Sequence, residues 1–148
     1  MCSLDCIVQA LTPTLKNLKY KKRVLTWIKD LSDITIVFSV QKSQYSNSTW
    51  YYNYGIGINA LTSNKITSIN GCHILFRIDN IVDGKELTHI NVIEVLKLWE
   101  KKYGTLEKLR RCALQRALPL ETHRSAITYL TSIDLSQAIN IAEDGSIS

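Results

Sequence analysis

The side chains with which this chain could do chemistry are few. They are three histidines (His73, His89, His123), four cysteines (Cys2, Cys6, Cys72, Cys112) and a set of amide and guanidinium groups in its middle third. Two histidines can divide general acid and base work only if both reach one reacting group. His73 falls in a predicted strand, His89 just before a predicted helix and His123 near another helix start. Nothing in that spacing brings them together, so they read as surface or capping histidines. A zinc site usually needs close pairs converging from two places, and the one near pair here is Cys2 and Cys6, a helical turn apart. Four ordinary thiols in a reducing compartment are expected. There is no Gly-x-Ser-x-Gly turn for a nucleophile and no glycine-rich loop opening a helix for a phosphate. Asp79, Asp83 and Glu86 are close in sequence, but Asn80-Ile81-Val82 between them reads as a turn. No catalytic residue, metal-ligand set or cofactor is expected.

The one constellation that could bind something is polar. In the predicted strands, alternation puts Gln41, Asn53, Asn59, His73, Arg77 and Asp79 on one face, with Gly55 and Gly57 leaving a depression between them. Neighbouring strands lie about 4.8 Å apart, close enough for such side chains to converge. Arg77 could pair with a carboxylate or phosphate through its planar fork. The plainer reading of the same residues is a solvated face of an antiparallel sheet, its two glycines marking a bulge or close packing.

Those residues need a sheet to carry them and helices to hide its other side. Leu4, Ile7, Val8, Leu11, Leu15 and Leu18 recur at helical spacing, with Pro13 inside the pattern predicting a kink or an end near Thr12. Strands are predicted over 23–28, 34–41, 50–59 and 72–79, with Lys29 to Asp33 as a hairpin turn and two polar loops, Ser43 to Thr49 and Leu61 to Gly71. Ile34, Ile36, Phe38 and Val40 share one face, as do Tyr52, Tyr54, Ile56 and Ile58, and then Ile74, Phe76 and Ile78. Asn91 three residues before Glu94 suggests a capping box, Val92, Ile93, Leu96, Trp99 and Tyr103 follow at helical spacing, and Gly104 is a natural stop. Thr105 caps a further predicted helix that Pro119 ends. Short helices are expected over 126–131 and 135–141, with a frayed tail from Glu143. The expectation is one α+β domain over residues 1–148: an N-terminal helix, a four-stranded antiparallel meander, and C-terminal helices packed on one sheet face.

With 148 residues, 45% of them hydrophobic and 21% charged, the chain can bury a core without a disulfide or metal staple. Its longest apolar runs are far short of a membrane span, and it opens without a basic, apolar leader, so no membrane association and a cytoplasmic location are expected. On that expectation the sequon at Asn47 stays unused. The formal charge is +5, from 18 basic and 13 acidic residues. The basic residues gather at 16–23 and 97–116. They could meet nucleic acid, or form a solvated outer face partly balanced by Glu94, Glu100 and Glu107.

The order of an N-terminal helix, a basic run, Trp27, Gln41-Lys42-Ser43, Asn53-Tyr54-Gly55-Ile56 and Arg77 resembles a bacterial domain-of-unknown-function family, number 4304, over roughly the first half of the chain. One departure is Lys19-Tyr20, where that family usually has Gly-Phe before its basic run. The resemblance implies a fold and no activity. A small leaderless domain without chemistry is similar in style to immunity proteins, which bind a cognate toxin and block it. A non-enzymatic protein-binding role is therefore expected, with a toxin as candidate partner and Gln41, Tyr45, Trp50, Tyr51, Asn53, His73 and Arg77 as candidate contacts. Such an interface needs about 800 Å² per partner and a few aromatic or arginine anchors. Nucleic-acid binding through the basic clusters is the alternative.

Overall fold

A computed structural model describes residues 3–45 and 48–132; the sequon asparagine, the predicted helix over 135–141 and the predicted frayed tail lie outside the described residues. The order is α1 (Leu4–Asn17), β1 (Lys21–Arg23), β2 (Thr26–Asp30), β3 (Ile34–Lys42), β4 (Trp50–Ile58), β5 (Ile74–Asp79), β6 (Ile81–Val82), β7 (Lys85–Glu86), α2 (His89–Tyr103) and α3 (Leu106–Leu114), with residues 124–132 again helical. Strands β1 to β5 form one antiparallel meander in chain order, and β6 and β7 a separate small hairpin. This is the expected α+β arrangement with five strands instead of four.

The extra strand, β1, lies just ahead of the predicted 23–28 strand and shares only Arg23 with it, while β2 takes the rest of that stretch and runs on to Asp30. Val24 adopts a left-handed φ of 56° and reverses the chain, so Lys21, Lys22 and Arg23 fold back on Ile28, Trp27 and Thr26. A β-branched residue is strained in that conformation, and the pairing on both sides of it holds it there.

Helix α1 starts at Ser3, whose hydroxyl accepts from the Cys6 N–H, and runs through Pro13 without ending. The missing Pro13 amide leaves the carbonyl of Gln9, on the exposed side of the helix, to water. Leu11 and Leu15 flank it, both fully buried. Each such burial contributes about 1.5–3 kcal/mol, enough together to offset the roughly 3 kcal/mol that an interior proline costs. Helix α2 begins three residues earlier than the predicted box. Thr88 is its N-cap, and Asn91, as the third helical residue, returns a bond from its side chain to the Thr88 N–H. At Gly104 the φ is an ordinary −79°, and glycine is needed because a Cβ would run into the Glu100 carbonyl.

The helices cover one sheet face. Trp27, Phe38, Tyr52 and Tyr54 on that face are essentially inaccessible, and Phe76 stacks on Trp99 and meets Tyr103 at a tilt, both of α2, with ring centroids 4.9 Å apart in each pair. Leu109 from α3 and Ala126 and Leu130 from the last helical stretch complete the main core. Among the described residues no helix is long and apolar enough to cross a membrane.

Candidate functional site

Strand register decides which polar residues meet. Gln41 of β3 lies opposite Tyr51 of β4, Asn53 of β4 opposite Arg77 of β5, and Tyr51 opposite Asp79. In antiparallel pairs opposite residues share a face, so these five side chains emerge on the side away from the helices. There Gln41, Tyr51, Asn53 and Arg77 interlock. Arg77 Nε donates to Asn53 Oδ1 at 3.1 Å and its Nη2 to Gln41 Oε1 at 3.3 Å, while Asn53 Nδ2 donates to the same Gln41 oxygen at 3.1 Å. The guanidinium carbon sits 4.7 Å from the Tyr51 ring centroid, in cation–π contact. Asn53 is buried beneath this lattice, whereas Gln41 and Arg77 are exposed. No carboxylate lies within ion-pair distance of Arg77 among the described residues. The result is an arginine whose geometry is set by two amides and one ring and whose charge has no carboxylate partner among the described residues.

Beside it runs a cleft of about 390 Å³, lined by Asn53, Leu75 and Arg77, by Ile69 and Asn70 of the β4–β5 connection, and by Glu121 and His123. The connection matters more than the sequence suggested. Gly55 and Gly57 do not leave an open depression, because Ile66, Ile69 and Cys72 fill it, packing on Val37, Ile28 and Leu75 as a second small core. The solvated face is therefore half a face: the Thr35–Val37–Gly55–Gly57 end is covered, and the Gln41–Tyr51–Arg77 end is open. The missed signal was the apolar spacing Ile66-x-x-Ile69-x-x-Cys72 in an otherwise polar loop, matched to two glycines in alternate positions of a strand. Asn59, expected on the open face, instead ties the covered end, accepting from Thr35 Oγ1 and donating to the Ser32 carbonyl.

Two of the expected contact residues are elsewhere. Trp50 has the same parity as Tyr52 and Tyr54, so its indole is in the main core, 2% exposed, and is no surface anchor. His73 lies just before β5 and is buried; its Nδ1 accepts the Ile58 N–H at 2.9 Å. It extends the ladder of β4 with its ring instead of facing outward. Tyr45 is 87% exposed in the β3–β4 loop.

The histidines, expected to be separate, are neighbours in two cases. His73 and His123 meet edge to face with centroids 5.8 Å apart, and the His123 N–H donates to the His73 carbonyl at 2.7 Å. Burial first, and then the nearby His123 ring, hold the His73 pKa below its ordinary value, so its ring is neutral with the proton on Nε2. With Nδ1 occupied by a backbone amide, His73 has no free lone pair to act as a base. Burial pushes the Cys72 thiol up to about 12, which leaves it protonated and a poor nucleophile. Cys72 and Cys112 are free thiols, while Cys6 is disulfide-bonded, which corrects the expectation of four ordinary thiols. Among the described residues no three His, Cys, Asp or Glu side chains are placed to hold a metal ion. What the open end of the face can do is recognise: a fixed, unpaired guanidinium, a tyrosine ring and amide groups over a shallow cleft.

The basic clusters part company in space. Lys19, Lys21, Lys22, Arg23 and Lys65 surround a hollow beside the β1–β2 hairpin. Lys29, Lys97, Lys101 and Lys108 line a groove of about 530 Å³ where α2 turns into α3. Of these four only Lys29 has an ion-pair partner among the described residues, Glu100 at 2.6 Å.

The model of one protein family, described as "Domain of unknown function (DUF4304)", matches residues 11–106. No curated protein and no solved structure matches the chain. The matched span contains every strand of the sheet and all of Gln41, Tyr51, Asn53 and Arg77.

Proposed function

The chain belongs to the DUF4304 family, and from that premise we propose that it is a non-enzymatic protein-binding domain whose contact surface is the open end of the sheet face. The observation that carries this reading is the preset Arg77. Binding a partner normally costs the ordering of a long flexible side chain, about 0.5–1.5 kcal/mol for each one immobilised. Here Asn53, Gln41 and Tyr51 have already ordered it. Arginine and tyrosine are also the residue types that anchor protein interfaces. Asp79, Glu121 and His123 rim the same region, and the unpaired charge of Arg77 together with the net charge of +5 suits a partner that presents a carboxylate. The finer reading is an immunity protein of a bacterial cytoplasm that occludes a cognate, acidic toxin.

The test is co-purification from the native cell at moderate salt, followed by binding measurements on the captured protein. Arg77→Ala and Tyr51→Ala should each weaken the complex by more than about 1 kcal/mol, the level that separates anchors from bystanders. Trp50→Phe, a core change, should leave affinity alone. If the partner is a toxin, its expression alone should arrest growth and co-expression of this chain should restore it. Equal affinities for the Arg77→Ala protein and the wild type would dispose of the surface.

A second reading has one observation in its favour. Lys97, Lys101 and Lys108 converge on the α2–α3 groove with no carboxylate paired to any of them among the described residues, which suits a polyanion such as nucleic acid. It requires affinity that falls steeply with salt and with the triple exchange of those lysines for glutamine.

A further inference from the structure

The two edges of the sheet differ in a way that bears on self-association. On β1 the edge residues are Lys21, Lys22 and Arg23, all exposed. A second copy paired there would face like charges at each position, a common protection of edge strands. Strand β5, at the opposite edge, carries charges of both signs two residues apart, Arg77 and Asp79, both exposed.

The hydrogen-bonding direction of β5 follows from one bond. The Leu75 N–H points away from β4, since it donates to the Glu121 carbonyl at 3.2 Å, and Thr122 makes an isolated antiparallel bridge with Ile74. The edge therefore already accepts an antiparallel segment at its first residues. In a strand the direction alternates, so the N–H and C=O of Arg77 and Asp79 also point outward. No further segment pairs with them among the described residues.

We infer that β5 pairs antiparallel with β5 of a second copy, about a two-fold axis through Ile78. The register follows from charge and parity. With Ile78 opposite Ile78, Arg77 of each chain lies opposite Asp79 of the other, and both residues of each pair direct their backbone groups at one another. That makes four inter-chain hydrogen bonds and sets residues of opposite charge across from one another, with each Arg77 guanidinium still held by its own Asn53 and Gln41. Moving the axis to Arg77 sets arginine against arginine, and moving it to Asp79 sets carboxylate against carboxylate. Pairing cannot extend to Leu75, whose outward amide is already bonded. The half-buried Ile78 side chains meet on the helix side of the joined sheet, closing apolar surface that the single chain leaves partly open. The two open faces then lie side by side, each with its own Gln41–Tyr51–Arg77 lattice. This pairing shares Arg77 with the proposed contact surface, but its test is read on the purified chain alone, so it can fail or hold without deciding the fate of that surface.

Sedimentation of the purified full chain, with concentration raised to about 1 mM, should give twice the monomer mass. Asp79→Arg, an exposed change, should return it to monomer. Ile78→Cys should cross-link to a disulfide dimer under mild oxidation, because facing residues in a non-hydrogen-bonded pair have Cα atoms about 4.5 Å apart, within disulfide range. Arg77→Cys, which cross-links only if the axis lies one residue away, should do so far more slowly. A wild-type chain that stays monomeric throughout, a dimer that tolerates Asp79→Arg, or an Arg77→Cys protein that cross-links as fast as Ile78→Cys each overturns the pairing.

Discussion

Adding one methyl group at Gly55 tests whether the β4–β5 connection is seated on the sheet, and hence where the binding face ends. A Cβ there would lie 2.6 Å from Ile69 Cδ1, 2.7 Å from Cys72 Sγ and 2.8 Å from Cys72 Cβ. The isoleucine tip and the sulfur can rotate aside, but Cys72 Cβ is one bond from the backbone and moves only if the chain does. Overpacking of this kind costs about 1–3 kcal/mol, while alanine narrows the unfolded ensemble and returns about 0.4–1 kcal/mol. The net loss for Gly55→Ala is then centred on about 1.3 kcal/mol, with about 2.6 kcal/mol as its upper end. At Gly57 the added atom meets the far end of Ile66, so Gly57→Ala should cost less. Urea unfolding resolves the two: at a slope of about 1.5 kcal/mol per molar, a loss of 1.5 kcal/mol lowers the midpoint by about 1 M. Combining Gly55→Ala with Cys72→Ala should recover only part of the loss, since the Cβ contact remains. A Gly55→Ala protein as stable as wild type, or a larger loss at Gly57, would refute the seating of Ile66, Ile69 and Cys72 on this face.

Two more expectations follow from buried polar groups. Asn80, fully buried, accepts the Trp50 N–H and donates to the Ser48 carbonyl, so Asn80→Ala strands a buried amide and should cost about 1–3 kcal/mol in the same assay; a change under about 0.5 kcal/mol would show the bonds to be idle. His73 has its pKa lowered in the folded state, so the unfolded chain takes up the proton first. Stability should be intact above the ordinary histidine pKa of about 6.5 and fall as the pH drops from there through the lowered folded value. His73→Asn, whose Oδ1 can take the place of Nδ1, should flatten that slope while keeping the bond from Ile58; parallel melting-versus-pH curves for the two proteins would count against the buried, neutral ring.

Much of the fold was legible because it is written in periodicity. Alternation in Ile34–Val40 and Tyr52–Ile58 separates a helix-covered face from the opposite one, and that separation holds in the sheet, although half of the opposite face is covered as well. The helical stripes of Leu4–Leu15 and Val92–Tyr103 predict the layer that covers it. The same rule, applied to Trp50, assigns it to the core; its residue type suggests a surface anchor, but its parity does not. Helix and strand ends were less legible. Pro13 and Val24 each carry a local preference that tertiary contacts override, one by burial on both sides and the other by strand pairing.

Sequence alone, then, determined the layers of this protein: which residues are apolar at which period depends only on the order of side chains. Tertiary structure decided the rest, because the contacts of the site join strands far apart in the chain. That Arg77 lies on Asn53 and within reach of Gln41 depends on the register of three strands. That Ile66, Ile69 and Cys72 cover the two glycines depends on how an irregular connection folds back. That His73 meets His123, some fifty residues later, depends on Thr122 bridging the edge of β5. None of these distances has a period, so no pattern in the sequence could carry them.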